Sequence, residues 1–482
     1  MSGGTLKQQM RNGLIWSASS TGLRQIVQFG SLAILARLLD PSDYGLVAMS
    51  VAVVGLGAVM SDFSLGSALV QRKDVTDRHI STAFWSTAAI GTGMTVLLLL
   101  CTPLVGAFYG TPEVADVFRI SVLSIMVRSF YSTDKNLLTK GMKFRTLGLL
   151  ELIAQTLGSG LAIFLAWKGF GALSLAVRGL SEALVEFLYF TYVREWKLQP
   201  RIGKQEFKEL WSFGGGHFGA RILNYTSRNA DNIIIGKVLG DVALGYYNLA
   251  YRLLFKPFQI LGTVTYRVFF SGFSKLQDDL KRFKSAYLAL TENICLILFP
   301  VGALFVALGP EIVVLLAGEK WLPAAPVVQI FGVTIFVQTV ATPLGYIYLG
   351  RGRTNIIFRW AVLTSAMDIV SFLIGVRFGI IGVAIGYLAV ESVLLIPKLI
   401  VAGRLIDLKL VETLTAAKAP FLAGLTAAIV GIYCKDFFLE PMGVMIGAGL
   451  SGVLMGAVYL GAILLLNRSL FHSLYRFARK SA

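Results

Sequence analysis

Apolar runs of roughly 20 residues or more recur from one end of this chain to the other, and that is the length a helix needs to cross about 30 Å of hydrocarbon. Lipid offers a backbone no hydrogen-bond partner, so only helices or closed barrels can span it. Continuous rather than alternating runs exclude the barrel. The fold class is therefore all-α, a polytopic membrane protein. About fourteen spans are read, at 14–38, 44–69, 80–108, 114–135, 146–167, 171–193, 210–236, 243–271, 286–316, 322–349, 356–376, 380–403, 416–434 and 442–466. The first is too long for the apolar core of a cleavable signal and contains Arg24. Composition agrees, with 55% hydrophobic and 15% charged residues over 482 positions.

The net charge of +17 is mostly topological. If the N-terminus is inside, alternate loops on that side carry about 27 Lys and Arg, from Lys7 to Lys480. The opposite loops carry about six: Arg37, Lys168, Lys237, Lys320, Arg377 and Lys435. This bias places both termini in the cytoplasm, requires an even number of spans, and removes any need for a nucleic-acid partner. Cys101, Cys295 and Cys434 lie far apart, as do His79, His217 and His472, so neither a disulfide framework nor a metal site is expected.

The chain writes one hydrophobic corner twice. "AILARLLDPSDYGLVAMSVAVVG" is echoed by "IIIGKVLGDVALGYYNLAYRLLF", with Arg37 and Lys237, Leu39 and Leu239, and Gly45 and Gly245 in matching places. A looser echo joins spans 5–6 to spans 11–12, where a basic glycine turn and an aromatic–glycine hairpin lead to a helix bearing Glu182 or Glu391. A unit of even span number repeats the same way up, so the repeat is parallel. The expected divisions are residues 1–195, a six-helix bundle; 196–209, a basic linker; 210–405, a second six-helix bundle; and 406–482, two extra spans and a tail. In that tail Leu470, Phe471, Leu474 and Phe477 share one face, which suits a helix lying on anionic membrane lipid.

Nothing points to an enzyme. Every loop is short, Asp40 and Asp43 read as turn and cap residues, and no phosphate-loop sequence occurs. "FGGGHFG" at 213–219 reads as a close-packing helix face. What remains is charge inside the spans. Each cation facing lipid at a helix centre costs roughly 2.5–3.5 kcal/mol, so each must pair, snorkel or line water. Arg178 with Glu182 and Arg228 with Asp231 have the spacing of helical pairs, and Arg119, Arg359 and Lys398 lie near span ends where they can snorkel. Arg24, Arg221, Arg252 and Lys256 fall near mid-membrane by helical rise, which makes them the expected site for an anion in a wet cavity. Asp62, Glu151 and Asp368 have no mate within a helical turn and are the expected residues for proton or sodium coupling, the only cofactor foreseen.

"ARLLDPSDYGLVAMS" and "DNIIIGKVLGDVALGYYNLAYRL", set in a twice-six layout, resemble Wzx-type polysaccharide flippases of the multidrug/oligosaccharidyl-lipid/polysaccharide exporter superfamily. The colanic-acid and succinoglycan exporters are the type they look like. The resemblance implies a V-shaped pair of bundles alternating access in the bacterial inner membrane. It implies an undecaprenyl-diphosphate-linked oligosaccharide as substrate, and a polysaccharide polymerase and chain-length regulator as partners. It also implies a cationic cavity, into which Arg24 and Arg252 fit; Arg221 and Lys256 are added by depth alone. For the sugar, Asn224, Tyr225, Tyr246, Tyr247 and Tyr251 are the expected polar and aromatic faces. A multidrug/cation antiporter and a peptidoglycan-precursor flippase remain as alternatives, the former requiring an acidic cavity instead.

Overall fold

The computed structural model describes residues 6–467 except 63–64, 73, 195, 198, 200–201 and 276–278. Side chains are described from Ser20 onward, save those at 213–217, 220, 255–257, 259–275, 436 and 439–442. The amphipathic tail expected after residue 467 and the glycine run from Phe213 to His217 thus fall wholly or in their side chains outside the described residues. Among the described residues every regular element is helical.

In chain order the helices are α1 (Leu6–Leu38), α2 (Pro41–Asp62), α3 (Leu65–Gln71), α4 (Asp77–Leu100), α5 (Thr102–Tyr109), α6 (Val114–Ser129), α7 (Ser132–Lys140), α8 (Phe144–Trp167) and α9 (Ala172–Val193). They continue with α10 (Lys204–Lys275), α11 (Leu280–Ala317), α12 (Ala325–Ala341), α13 (Leu344–Gly350), α14 (Thr354–Gly375), α15 (Gly379–Gly403) and α16 (Leu410–Leu466). Nine stretches of the described residues are long and apolar enough to cross a membrane. One of them, Thr354–Gly403, holds two expected spans, and Arg221–Leu254 joins parts of two more.

Three departures from the expected spans have local causes. The run at 80–108 is divided between α4 and α5 because Pro103 sits in the first turn of α5 and has no N–H with which to continue α4. The run at 114–135 ends early at Ser129, and after a turn at Phe130–Tyr131 the polar helix α7 begins. α9 has the length of a span but carries Arg178, Glu182 and Glu186, so its apolarity falls short. The two longest helices break at glycines: α10 at Gly240, in the expected loop, with φ 84°, and α16 at Gly443, just inside the expected span 442–466, with φ 72°. Both values sit in the left-handed region that only glycine enters freely.

The chain divides into two compact units, Met1–Gly245 and Tyr246–Ala482. In the first, α8 packs between α1 and α9, while α6 touches α2, α4 and α9. In the second, α11 packs on α12 and α16, α12 on α15, and α15 on α14. The two spans without a counterpart in the repeat are thus built into the second core. Ala423, Ala427, Met455 and Tyr459 of α16 lie against Leu296, Ala303 and Ala307 of α11, and the Tyr459 hydroxyl donates to the Leu296 carbonyl at 2.9 Å.

The repeated corner shows why it is repeated. Within the first unit, a Cβ added at Gly45 would overlap the Asp241 carbonyl, and one added at Gly245 would overlap the Pro41 carbonyl. Residues 200 positions apart exchange roles, so the two copies of the corner pack backbone to backbone, each through its own glycine. Substituting Gly45→Ala or Gly245→Ala should therefore destabilise the protein by about 1–3 kcal/mol, as overpacking of a tight contact does. A lowered thermal unfolding midpoint in detergent for each variant, against an unchanged one for Gly219→Ala, where a Cβ meets open space, checks this.

Candidate functional site

The first unit gathers its in-span charges into a chain of alternating sign. Arg24 on α1 gives Nη1 to Oε2 of Glu151 on α8. The other oxygen of Glu151 accepts from Nζ of Lys135 at 2.9 Å, and Lys135 also reaches Glu186 on α9 at 3.1 Å. Lys135 is half-buried on α7, the polar helix that follows the break at Phe130–Tyr131. Its position is fixed from behind. Asp134 accepts from Arg194 at 2.7 and 3.2 Å and from the Trp196 indole at 2.6 Å, and the Arg194 guanidinium lies over the rings of Phe84 and Trp196 at 4.6 and 5.0 Å. Asp134 thus anchors the backbone of α7, and the Lys135 ammonium is held by the two carboxylates that converge on it.

A cavity of about 430 Å³ opens beside this chain, lined by Asp62, Arg128, Lys135 and Arg221 together with Ser61, Thr87, Asn136 and Thr139. Arg221, from α10, gives Nη1 to Oδ2 of Asp62 at the end of α2, and that pair is partly exposed, at 41% and 33% for the two side chains. Arg128 is exposed and has no carboxylate partner among the described residues. Three cations and one carboxylate line the space, with hydroxyls and an amide between them. Lys135 is held by Glu151 and Glu186 and Arg221 by Asp62, so Arg128 is the lining cation left to attract an anion, and in a site walled by apolar helices that attraction is stronger than it would be in water.

Of the four expected site cations, Arg24 and Arg221 lie in the first unit and are linked through Lys135, which bonds the carboxylate of one and lines the cavity of the other. Arg252 is half-buried on the limb of α10 that belongs to the second unit. The side chain of Lys256 lies outside the described residues. Asp62 and Glu151, singled out for lacking a local mate, bond Arg221 and Arg24 from 159 and 127 positions away. Asp368 lies on α14 in the second unit, where its own carbonyl accepts from Ser371 at 2.8 Å.

The tyrosines expected to face sugar do other work. Tyr247 is fully buried, stacked on Tyr251 and packed edge-on against Phe331, so it offers no open face. Tyr246 packs against the buried Trp321, and the Tyr225 hydroxyl donates to the Val51 carbonyl at 2.8 Å. Arg178 and Glu182 pair at 3.0 Å as their spacing requires, and Arg119 pairs with Asp116. Lys398 does not snorkel: it bonds Glu391 at 3.2 Å, with both side chains at most 15% exposed. Lys135, Arg128 and the Lys398–Glu391 pair are the charged groups that sequence reasoning passed over. The one sequence signal for the pair is its seven-residue spacing, two helical turns on one face.

Outside the spans, Glu209 ties the start of α10 to the loop before α4, accepting from Arg72 at 2.7 Å and from His79 at 3.2 Å. The His79 and Gln205 hydrogen bonds, with Arg72, hold its carboxyl below the usual carboxylate range.

Residues 34–326 match the family described as "Polysaccharide biosynthesis protein". The lipopolysaccharide biosynthesis protein WzxC of Escherichia coli is 26% identical over 81% of this chain and 80% of its own length. The succinoglycan biosynthesis transport protein ExoT of Rhizobium meliloti is 26% identical over 96% and 94%, and the teichuronic acid biosynthesis protein TuaB of Bacillus subtilis 27% over 74% of each. Among solved structures, the lipid II flippase MurJ shares the fold with a TM-score of 0.77 at 18% identity, over 95% of this chain and 99% of that one. A multidrug resistance MATE family transporter of the MOP superfamily shares it with a TM-score of 0.63 at 15% identity, over 85% and 95%. These matches bear out the resemblance carried by the two corner motifs, and with well over half of its length fitting the family's pattern the chain belongs to the polysaccharide biosynthesis protein family.

Proposed function

We propose that this protein is a flippase that carries a lipid-linked oligosaccharide, its diphosphate bound in the cationic cavity of the first unit, across the bacterial inner membrane for exopolysaccharide, capsule or lipopolysaccharide assembly. One observation carries the reading: Arg128, Lys135 and Arg221 line a common space, and of these Arg128 is open to it with no carboxylate partner among the described residues. A diphosphate has no way through hydrocarbon without fixed positive charge at depth, and its polyprenyl tail needs none because it can remain in lipid. The relatives named for lipopolysaccharide, succinoglycan and teichuronic acid biosynthesis support a polysaccharide cargo. A cationic drug would meet repulsion in the same cavity, which counts against the antiporter reading.

Asp62 gives the cavity a way to let go. In the resting arrangement its carboxylate occupies the Arg221 guanidinium that a phosphate would take. An arriving diphosphate competes with Asp62, and Asp62 competes for Arg221 when the cargo leaves. Proton or sodium uptake at Asp62 or Glu151 is the coupling that fits this exchange, because neutralising either carboxylate frees its arginine. No covalent step is required.

Two outcomes test the site. Arg128→Ala and Arg221→Ala should each abolish polymer export while the protein still inserts at normal levels; normal polymer yield from both would remove these residues from the site. Asp62→Asn should tighten binding of pyrophosphate to the purified protein about tenfold, about 1.4 kcal/mol, whereas Arg128→Ala should weaken it by a similar factor. Titration calorimetry showing the two variants equal to wild type would overturn the diphosphate assignment.

A further inference from the structure

The second unit has a cavity of its own, about 330 Å³, lined by Gln338, Tyr348, Trp360, Glu391 and Lys398. Its volume falls at the low end of the range of about 300–1,000 Å³ typical of small-molecule sites. Its polar groups are organised. Lys398 and Glu391 bond at 3.2 Å across two turns of α15 and are nearly buried, in a helix that also contains Pro397. A buried ion pair within an apolar helix is costly to keep, and hydrophobic residues of similar size would pack at least as well. The Trp360 indole donates to the Tyr348 hydroxyl at 3.2 Å, and that hydroxyl donates to the Lys398 carbonyl at 3.3 Å. The aromatic wall is thereby locked in one orientation. Gln338, which also lines the cavity, donates to the hydroxyl of Tyr387.

We infer that this cavity is a subsite for a sugar ring, bound against Trp360, which Tyr348 orients, and hydrogen-bonded by Gln338, Glu391 and Lys398. The chemistry excludes other occupants in turn. Lys398 and Glu391 cancel each other's charge, so the cavity lacks the positive excess that a phosphate needs. The ammonium already sits on the carboxylate, so no free cation is drawn to it. An acyl chain would leave an ion pair and an amide facing hydrocarbon. A pyranose is the remaining fit: its C–H face lies on an aromatic platform, and its rim of hydroxyls both gives to the carboxylate and amide oxygen and accepts from the ammonium. The inference rests on the saccharide half of the proposed function and adds to it the residues that would hold the ring.

Saturation-transfer NMR on the full-length protein in phospholipid nanodiscs, with methyl β-D-glucoside and methyl N-acetyl-β-D-glucosaminide as probes, tests it. Ring protons of at least one probe should receive saturation from wild type. Trp360→Ala and Gln338→Leu should each lower that signal fivefold or more, and Trp360→Phe, which keeps the platform and controls for folding, should retain most of it. Pyrophosphate should not compete. Wild-type signals from both disruptive variants, absence of any ring-proton signal in protein that still binds pyrophosphate, or saturation confined to the aglycone methyl would each overturn the subsite. If pyrophosphate fails to bind while the glycoside signal still depends on Trp360, the diphosphate reading falls and the sugar subsite stands.

Discussion

A single ammonium group, that of Lys135, has to satisfy two carboxylates at once, and the first unit is arranged around that requirement. Glu151 and Glu186 come from α8 and α9, Arg24 joins from α1, and Lys135 itself rides on α7. None of these charges could be left alone in an apolar surround, because an unpaired ion there costs several kcal/mol even after relaxation. Four helices are therefore tied through one point that is polar rather than greasy. In a bilayer, where lipid competes with every apolar contact, such a tie holds helices together in a way that packing of small residues alone does not. The Arg194 guanidinium, stacked on Phe84 and Trp196 and bonded to Asp134, anchors the same helix, α7, at the neighbouring residue.

The same constraint shapes the cavity beside it. Arg221 must have a counter-charge when no cargo is present, and Asp62 supplies one that is tethered and partly exposed. Arg128 escapes the need by remaining open to the cavity. A site built from fully paired cations would be stable and inert; one built from bare cations would be hard to insert in the membrane. Mixing a cation that is paired but exchangeable with one that is open gives attraction for an anion without trapping it.

How much of this was legible beforehand follows from the range of each interaction. The apolar spans and the repeated corner are written locally, in runs of apolar residues and in two glycines. Arg178 with Glu182 is equally local, four residues along one helix. Arg24 and Asp62 were legible as misplaced charges but not as partners of Glu151 and Arg221, because pairs separated by 127 and 159 residues are set by helix packing. Lys135 was hidden by its place at the edge of an apolar run, where a lysine normally marks a loop; only the break at Phe130–Tyr131 turns it into a helix residue facing inward. Tyr247 misled in the opposite sense. An aromatic beside an arginine suggests a sugar platform, yet its burial against Phe331 makes it core.

The two units treat their charged helices differently. The echo matches Glu391 of α15 to Glu182 of α9, which pairs with Arg178 on its own helix, while the lysine–glutamate contacts are Glu186 of α9 with Lys135 and Glu391 with Lys398. In the first unit the lysine arrives from another helix and links Glu186 to a longer chain of charge that borders open cations. In the second it comes from the same helix and closes the pair on itself, leaving an electrically neutral cavity whose remaining character is aromatic and amide. Under the proposed function the cargo has two chemistries, one that demands positive charge and one that is repaid by flat apolar surface with hydrogen bonds at its rim, and the charged cavity of the first unit and the neutral one of the second each suit one of them.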